Sequence, residues 1–328
     1  MKTEILALLK KNTNLFVSGE FISNELGVSR AAIWKHMNQL KEDGYIIESV
    51  SRNGYRLISS PDLLTHEEIK VHLTTKYIGR SIIHFDSLDS TNTKAKELAI
   101  LGEEDGTTII SEEQTKGRGR LGRQWSSPKF KGIWMSIILR PDIDPLNMSK
   151  LTLVAAAAVH EALMDFNIKT SIKWPNDIIL NGKKLCGILT EMSGELNQIN
   201  HLIIGIGVNV NTSTSEFPNE IKDIATSLNS ETGKIFLRTK LTACILNHFE
   251  RLYEEFVLND NLTSTIDISR KNSVFLGKDV QMYNRGVLVS AKAIDIDNNG
   301  LLLIEHKDGK IEKVISGEVS MHGLYGFK

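Results

Sequence analysis

The stretch Gly117-Arg118-Gly119-Arg120-Leu121-Gly122-Arg123 decides which fold the centre of this chain can have. Its glycines spell G-x-G-x-x-G, which in dinucleotide-binding folds follows a strand and opens a helix. A strand-like run precedes it at 107–111, but Pro128 and Gly132 fall where the helix would have to run. The stretch therefore does not predict a Rossmann fold. It does not predict a nucleotide-binding P-loop either, because no Gly-Lys-Ser/Thr ends it.

The composition of this stretch instead indicates an anion-binding loop. Three glycines and three arginines share seven residues. Glycine lets a backbone approach a ligand closely, and arginine presents a permanently charged, planar fork to carboxylates and phosphates. The alternative is a disordered basic surface loop. Two other segments favour binding: Ser90-Thr91-Asn92 opens an amphipathic helix whose first N–H groups can face an anion, and Lys184 begins an apolar strand.

Residues 65–270, on both sides of the loop, have the texture of a mixed α/β domain with a large β core. Strand-like runs at 107–111, 132–139, 177–180, 185–191 and 201–210 alternate with helical patterns near 90–101, 149–166 and 237–258. Lys173-Trp174-Pro175-Asn176-Asp177 forms a polar turn into one strand. Gly205-Ile206-Gly207 lacks a third glycine and indicates only a backbone turn.

Residues 1–60 have the pattern of a winged helix-turn-helix. Ser18 and Ser29 are placed to cap the second and third of three short helices, and Asn53-Gly54 predicts a hairpin after them. In such domains the third helix enters the major groove and the wing meets phosphates. The predicted DNA contacts are Ser29, Arg30, Lys35, His36, Arg52 and Arg56. A small helical docking module remains the alternative.

Residues 271–328 predict a small β-barrel, because short strand-like runs alternate with glycine turns. The runs are 280–283, 287–294, 301–305 and 311–316, and the turns are Asn284-Arg285-Gly286, Asn298-Asn299-Gly300 and Asp308-Gly309. The three textures together predict a multidomain α+β chain divided into residues 1–60, 65–270 and 271–328.

Composition restricts the class of protein further. The chain has 328 residues, a net charge of −1 and two cysteines, Cys186 and Cys244, whose spacing fits neither a disulfide framework nor a metal-binding motif. Unpaired cysteines are typical of a reducing cytosol. The N-terminus lacks the features of a signal peptide, and the most apolar helical pattern, at 151–163, is shorter than the roughly 20 residues of a membrane span. We expect a cytoplasmic protein with no membrane contact.

The motifs resemble, in their order, those of the bacterial bifunctional biotin–protein ligases and biotin-operon repressors. They are Ser90-Thr91-Asn92, the arginine stretch continued to Gln124-Trp125, Lys173-Trp174-Pro175-Asn176-Asp177, Lys184-Leu185-Cys186-Gly187-Ile188-Leu189 and Gly205-Ile206-Gly207-Val208-Asn209. With the winged helix in front and the β domain behind, the resemblance spans essentially the whole chain. It implies a class II synthetase-like ligase domain in the centre and an SH3-like barrel at the C-terminus.

The resemblance implies two reaction steps. Biotin and ATP, with Mg²⁺, give biotinyl-5′-adenylate and pyrophosphate, and the biotinyl group then passes to one lysine of a biotin carboxyl carrier domain. Because a carboxylate is already ionised at neutral pH, the first step needs no general base. It does need cations, since two unit charges 4 Å apart repel by about 4 kcal/mol at an effective dielectric near 20. The arginine stretch is implied to close over the reactive adenylate and exclude water.

The resemblance also implies roles for individual residues. The implied catalytic residues are Lys184, Arg118, Arg120 and Asp177, with Asp177 orienting or deprotonating the acceptor amine. The implied biotin-binding residues are Ser90, Thr91, Asn92, Gln114, Gly117, Arg118, Arg120, Lys184 and Gly187. The implied ATP- and adenylate-binding residues are Arg120, Arg123, Trp125, Asn176, Lys184 and Asn209. No protein-ligated metal is implied.

Regulation is implied as well. In the family the adenylate promotes a homodimer that binds operator DNA through two winged helices, and the carrier domain competes for the same surface. Two other functions stay open from the residues: a lipoate–protein ligase, which uses the same two-step chemistry, and a transcription factor whose central domain only binds an effector.

Overall fold

The computed structural model describes residues 1–12, 14–195, 198–284, 287–315 and 319–320. The chain divides into two compact units, Met1–Leu63 and Leu64–Lys328.

The first unit has the element order that the sequence predicts. Three helices, α1 (Lys2–Lys11), α2 (Gly19–Leu26) and α3 (Arg30–Glu42), precede an antiparallel hairpin of β1 (Ile46–Val50) and β2 (Gly54–Ser59). Their apolar faces meet in one core, which contains Ile5, Leu6, Leu9, Ile22, Ile33, Met37, Leu40, Ile47 and Leu57.

Local hydrogen bonds fix the ends of these elements. Ser18 Oγ accepts from Phe21 N at 3.0 Å, and Ser29 Oγ accepts from Ala32 N at 3.3 Å. Both predicted caps are therefore present. At the start of β2, Gly54 has φ +105°, and a Cβ there would lie 2.1 Å from the carbonyl oxygen of Val17. Only glycine fits that position.

The second unit contains a seven-stranded sheet. Its strands are β3 (Ile82–Phe85), β4 (Thr108–Ser111), β5 (Gly132–Leu139), β6 (Ser171–Lys173), β7 (Asp177–Leu180), β8 (Lys183–Glu195) and β9 (Gln198–Asn209). They lie in the order β3-β4-β5-β9-β8-β7-β6, with β3 and β4 parallel and every other pair antiparallel. The long β8–β9 hairpin therefore lies near the middle of the sheet.

Helices cover both faces of this sheet. They are α4 (His66–Lys70), α5 (Thr91–Ile100), α6 (Met148–Asp165), α7 (Leu228–Thr232), α8 (Arg238–Asn259) and α9 (Thr263–Lys271). Successive residues of β5 face opposite sides: Ile137 joins the core formed with α6 and α8, whereas Ile138 joins a smaller core with Ala95 and Ala99 of α5. This two-sided burial explains why β5 does not alternate between apolar and polar residues and has Ser136 as its one polar side chain. None of the helices in the described part of the chain combines the length and apolar character of a membrane span.

The last segment forms a second sheet of β10 (Asp279–Asn284), β11 (Val287–Ile296), β12 (Leu302–Glu305), β13 (Ile311–Val314) and β14 (Val319–Ser320). All neighbours are antiparallel, in the order β13-β12-β11-β10-β14. The β-rich texture predicted for this segment is thus present. Two details of that prediction, the turn residues Arg285 and Gly286 and the strand end at Ser316, lie outside the described residues.

This second sheet is attached to the larger one through buried contacts. Trp174 Nε1 donates to the carbonyl oxygen of Gly300 at 2.9 Å. Gly300 has φ +80°, and a Cβ there would lie 2.4 Å from the Leu153 side chain. Ile172 N donates to Asn272 O at 2.7 Å, and Ile172 O accepts from Val274 N at 3.0 Å. The turn that follows Ile172 is therefore supported from the C-terminal side.

Candidate active site and DNA-binding surface

A cavity of about 210 Å³ opens between the arginine stretch, the turn at 173–177 and the start of β8. Predicted site residues that line it are Arg118, Arg120, Arg123, Trp125, Asn176, Asp177, Lys184 and Gly187. The sheet order explains why two of the motifs lie together. Asp177 begins β7, Lys184 lies in β8, and these strands are neighbours. Ile221, Ile224, Ala225 and Val319 add an apolar wall.

Lys184 and Asp177 form the charged centre of this cavity. Lys184 Nζ lies 2.6 Å from Asp177 Oδ1 and 5.4 Å from the centroid of the Trp125 ring. The backbone of Lys184 is bonded on both sides, since its N donates to Ile224 O at 2.8 Å and its O accepts from Thr226 N at 2.9 Å. A lysine held this way has its ammonium group fixed beside a carboxylate inside a concave site.

The arginine stretch folds as a tight hairpin and no helix follows it, as predicted. Gly119 N donates to Arg123 O at 2.7 Å, and a single 3-10 turn spans Arg120–Gly122. Leu121, at the tip, has φ +56° and is 80% exposed. Arg120 reaches across the cavity to donate to Asn176 Oδ1 at 2.8 Å.

Glycines build a flat floor under Trp125. Gly187 and Gly207 are directly paired across β8 and β9. A Cβ on Gly207 would lie 2.5 Å from Trp125 Nε1, and a Cβ on Gly117 would lie 2.3 Å from the Trp125 carbonyl oxygen. The indole N–H is buried and finds no hydrogen-bond acceptor within the described residues. The indole ring therefore covers the Gly207 position of this floor.

Five predicted biotin-binding residues, Ser90, Thr91, Asn92, Gln114 and Gly117, lie outside the cavity lining, and Thr91 and Gln114 share a partly buried hydrogen-bond network. Gln114 Oε1 accepts from both the N–H and the hydroxyl of Thr91, while Gln114 Nε2 donates to Ser127 Oγ at 2.8 Å. A Cβ on Gly117 would lie 3.2 Å from Gln114 Nε2, so this network borders the arginine stretch. Ser90, at the N-cap position of α5, is 2% exposed and has no side-chain cap bond.

Asn92 connects α5 to the centre of the sheet. Its Oδ1 accepts from Ser136 Oγ at 2.6 Å and its Nδ2 donates to Glu191 Oε2 at 2.7 Å. Burial raises the pKa of Glu191, but hydrogen bonds from Lys96 and Asn92 outweigh it and lower the pKa below its ordinary value. Sequence reasoning identified Asn92 but missed Ser136 and Glu191, whose partners lie far away in the chain.

Asn209 does not line the cavity. It is 4% exposed, and its Nδ2 donates to the carbonyl oxygen of Thr226 at 3.0 Å. Thr226 is the residue whose N–H bonds the Lys184 carbonyl. Asn209 therefore supports the segment that holds Lys184.

A second buried ionic group was not foreseen from the sequence. Arg238 and Glu112 are fully buried and their Nη1 and Oε2 atoms lie 2.7 Å apart. Glu112 Oε1 also accepts from Leu64 N at 2.8 Å and contacts His84 Nε2 at 3.1 Å. Burial raises the pKa of Glu112, but His84, Arg238 and the Leu64 N–H together lower it below its ordinary value.

The predicted DNA contacts on α3 are at its start and exposed side. Ser29 uses its hydroxyl as the N-cap, and Arg30 pairs with Glu20 at 2.8 Å. Lys35 is exposed, while the His36 ring lies 2.9 Å from Gln39 Oε1.

The wing carries the other two predicted contacts. Arg52 is exposed at its tip with φ +71°. Arg56 is bonded to Glu48 on the facing strand and lies 4.6 Å from the centroid of Phe16. Arg52 is therefore the more accessible of the two.

Comparison with known proteins agrees with this geometry. Residues 84–209 match the Biotin/lipoate A/B protein ligase family, residues 2–56 match an HTH domain, and residues 275–322 match the Biotin protein ligase C terminal domain. The three matches fall on the winged-helix unit, the seven-stranded sheet and the C-terminal sheet.

Similar proteins cover almost the whole chain. The Bifunctional ligase/repressor BirA of Bacillus subtilis (strain 168) is 40% identical over 322 residues, 98% of each chain. The protein of the same name from Escherichia coli (strain K12) is 31% identical over 97% of this chain and 96% of its own. The structure of Biotin protein ligase from Aquifex aeolicus in complex with biotin and ATP superposes with a TM-score of 0.64 at 32% identity, covering 74% of this chain and 98% of that one. This chain belongs to the BirA family of bifunctional ligase/repressors.

Proposed function

We propose that this protein activates biotin with ATP and transfers it to a lysine of a biotin carboxyl carrier domain, and that it represses transcription in response to the adenylate. The observation that carries the proposal is the cavity in which Lys184 faces Asp177 while Arg118, Arg120 and Arg123 line the same space. The ligase names of the relatives, and the HTH match at residues 2–56, support both halves.

In the first step the carboxylate oxygen of biotin forms a bond to the α-phosphorus of ATP, and the bond to the bridging oxygen breaks to release pyrophosphate. Both reactants are anionic, so positive groups must offset their repulsion and stabilise the developing charge. We assign Lys184, whose backbone is hydrogen-bonded on both sides, to contact the biotin carboxylate and the phosphate together. Arg118 and Arg120 supply further positive charge from the loop.

In the second step a lysine amine of the carrier attacks the carbonyl carbon of the adenylate, and AMP leaves. The attacking amine must lose a proton to become nucleophilic. Asp177 is the carboxylate at the cavity whose Oδ1 contacts Lys184, and we assign it to orient the amine or accept its proton.

Biotin is proposed to lie beside Gly187, which lines the cavity, with Ser90, Thr91 and Gln114 at its other end. Gly187 carries no side chain and so leaves room for the ligand beside the strand backbone, where a Cβ would lie 3.2 Å from the Trp125 ring. Asn92 and Gly117 contribute indirectly: Asn92 anchors α5 to the sheet, and Gly117 leaves room for the backbone of Trp125.

The adenylate is proposed to occupy the side of the cavity lined by Arg120, Arg123, Trp125 and Asn176. Asn209 is proposed to act indirectly, through its hydrogen bond to Thr226, which in turn bonds the Lys184 carbonyl. Mg²⁺ prefers oxygen ligands and phosphate, whereas the described lining of the cavity has a single carboxylate, Asp177, which already pairs with Lys184. These residues fit an ion that is held mainly by the triphosphate. Asp177 is the one acidic side chain of the described lining that could act as a ligand to it. The ion would neutralise phosphate charge.

The remaining parts of the proposal concern the whole protein. We propose domains at residues 1–60, 65–270 and 271–328, and closure of the last into an SH3-like barrel, which the antiparallel order of β10–β14 supports. Repression is proposed to require a homodimer that presents two winged helices to operator DNA, with Ser29, Arg30, Lys35, His36, Arg52 and Arg56 as contacts. Because its substrates and DNA are cytoplasmic, we place the protein there.

The test is biotinylation of a purified carrier domain by the wild type and by Lys184→Ala. We expect the variant to lose activity by at least about 100-fold, the size of effect seen when one group that stabilises transition-state charge is removed. Lys183→Ala is the matched control, since Lys183 is the neighbouring lysine and does not line the cavity. Undiminished ligation by Lys184→Ala would contradict the assigned role.

A lipoate–protein ligase is the second candidate, because the matched family description covers biotin and lipoate ligases alike. ATP–pyrophosphate exchange separates the two. Exchange that depends on biotin and not on lipoate supports the proposal, and the reverse result supports the alternative.

A further inference from the structure

A cluster of Asp165, Cys244 and His248 lies away from the ligase cavity, where the end of α6 meets the middle of α8. Cys244 and His248 are four residues apart on α8, so they share one face of the helix. Cys244 Sγ lies 3.2 Å from Asp165 Oδ2, and His248 Nε2 lies 2.9 Å from the same oxygen. The three candidate ligand atoms all lie within 4.8 Å of one another.

A thiol, an imidazole and a carboxylate form a ligand set that Zn²⁺ favours. Metal–ligand distances of about 2.0–2.3 Å place tetrahedral ligand atoms about 3.3–3.8 Å apart. The observed separations therefore need changes of up to about 1.5 Å, which is within the range of side-chain rotation on two helices. Asp165 is exposed and the cluster borders an open groove, so an ion has access from solvent.

We propose that Asp165, Cys244 and His248 bind a thiophilic divalent cation of the Zn²⁺ type, with water as the fourth ligand. Binding replaces the two hydrogen bonds to Asp165 by bonds to the metal, and the proton of the Cys244 thiol passes to solvent. The ion would cross-link α6 and α8. Cysteine spacing alone does not indicate this site, because Asp165 precedes Cys244 by 79 residues.

The same three residue types could also form a nucleophilic triad, but their geometry differs from one. In a triad the imidazole takes the proton of the thiol and the carboxylate orients the imidazole. Here the thiol and the imidazole both bond the same carboxylate oxygen. The arrangement is that of three ligands converging on one point.

The other acidic groups of the groove, Glu250, Glu254 and Glu255, are engaged elsewhere, and Glu255 accepts from Ser264 N at 3.2 Å. Glu250 accepts the backbone N–H groups of residues 76–78, and Glu254 pairs with Lys76 at 3.0 Å. Lys240, also on α8, has its Nζ 5.7 Å from the Phe166 ring centroid. Arg251 also borders the groove. These contacts limit the proposed ligand set to the cluster itself.

Cobalt is a spectroscopic probe of the site. The full-length protein, without ATP, is titrated with Co²⁺, and thiolate-to-cobalt charge-transfer absorption is recorded. We expect one equivalent to give this band in the wild type and in Cys186→Ala, since Cys186 is buried in the core. Cys244→Ser should lose the band, and His248→Ala should weaken binding by at least about tenfold. A band that persists in Cys244→Ser, or no band in the wild type, would overturn the proposal.

Thiol protection gives an independent measurement. An aromatic disulfide reagent should modify one accessible thiol per chain, Cys244, and Zn²⁺ should slow that reaction in the wild type but not in Asp165→Asn or His248→Ala. Retained ligase activity shows that each variant is folded. If Zn²⁺ leaves the modification rate of the wild type unchanged, Cys244 is not a ligand and the proposal fails.

Discussion

At the scale of single residues, the site depends on positions where a side chain would not fit. Gly205, on β9, faces Asn92, and a Cβ there would lie 2.1 Å from Asn92 Oδ1. That oxygen accepts the hydroxyl of Ser136, and the same amide donates to Glu191. A glycine in the middle of a sheet is usually unfavourable, so its presence here reflects the close approach of α5.

Gly205→Ala is therefore expected to destabilise the protein by about 1–3 kcal/mol, because the added methyl group displaces the Asn92 amide and strains a packed interior. Denaturant unfolding measures the change. In a double-mutant cycle, Gly205→Ala should lower the free energy of unfolding less in the Asn92→Ala background than in the wild type. The reason is that Asn92→Ala removes the amide that the added methyl group would displace. Strictly additive effects would show that Gly205 matters for a reason other than contact with Asn92.

At the scale of elements, the chain just after β4 and the start of α8 are joined by the buried pair of Glu112 and Arg238. Removing one partner of such a pair costs about 3–5 kcal/mol, because the other charge stays buried without compensation. The folded-state pKa of Glu112 lies below its ordinary value. The stability it contributes is then complete above the unfolded pKa of about 4.3 and is lost as pH falls through the folded value.

We expect Glu112→Gln to be less stable than the wild type at neutral pH and to lose less stability between pH 5 and pH 3. Unfolding free energies measured across that range check both statements. Glu113→Gln is the matched control, since Glu113 is the next residue and its carboxylate accepts a hydrogen bond from Ser87 at the surface. If the unfolding free energy of Glu112→Gln falls between pH 5 and pH 3 as much as that of the wild type, other carboxylates dominate acid unfolding.

The winged helix permits a prediction about DNA. Lys35 and Arg52 are exposed on α3 and at the tip of the wing, whereas Arg56 is paired with Glu48. Each phosphate contact that is removed should lower the slope of log affinity against log salt by about 0.9. Lys35→Ala and Arg52→Ala should each weaken operator binding in this way, as measured by fluorescence anisotropy at several salt concentrations. Lys11→Ala, on α1, changes charge equally and should leave the slope unchanged; an equal decrease there would indicate a non-specific effect of net charge.

Elements were predictable from the sequence where their causes are local. Ser18 and Ser29 cap their helices within three residues, and the absence of a helix after the arginine stretch followed from Pro128 and Gly132. Partners that are distant in the chain were not predictable. Arg238 meets Glu112 across 126 positions, and Arg120 meets Asn176 across 56, because strand order and register set these distances. The resemblance located the motifs, and the fold determined which of them line the cavity.

At the scale of the whole molecule, the seven-stranded sheet collects three separate motifs around one cavity, while the winged-helix unit carries exposed basic residues. A protein with both parts can couple biotin activation to repression only if binding of the adenylate changes its affinity for operator DNA. Coupling free energies between sites are typically about 1–3 kcal/mol, which corresponds to a change in affinity of about 5–150-fold.

We therefore expect biotin plus ATP to tighten operator binding by the wild type within that range, with a matching increase in dimer measured by analytical ultracentrifugation. Lys184→Ala should not respond to biotin plus ATP, because it does not make the adenylate. Preformed biotinyl-5′-adenylate should restore part of the response, which separates a failure of synthesis from a failure of coupling. If operator affinity of the wild type is the same with and without both substrates, ligand-controlled repression is excluded even where ligation is intact. The winged helix would then bind DNA independently of the state of the cavity.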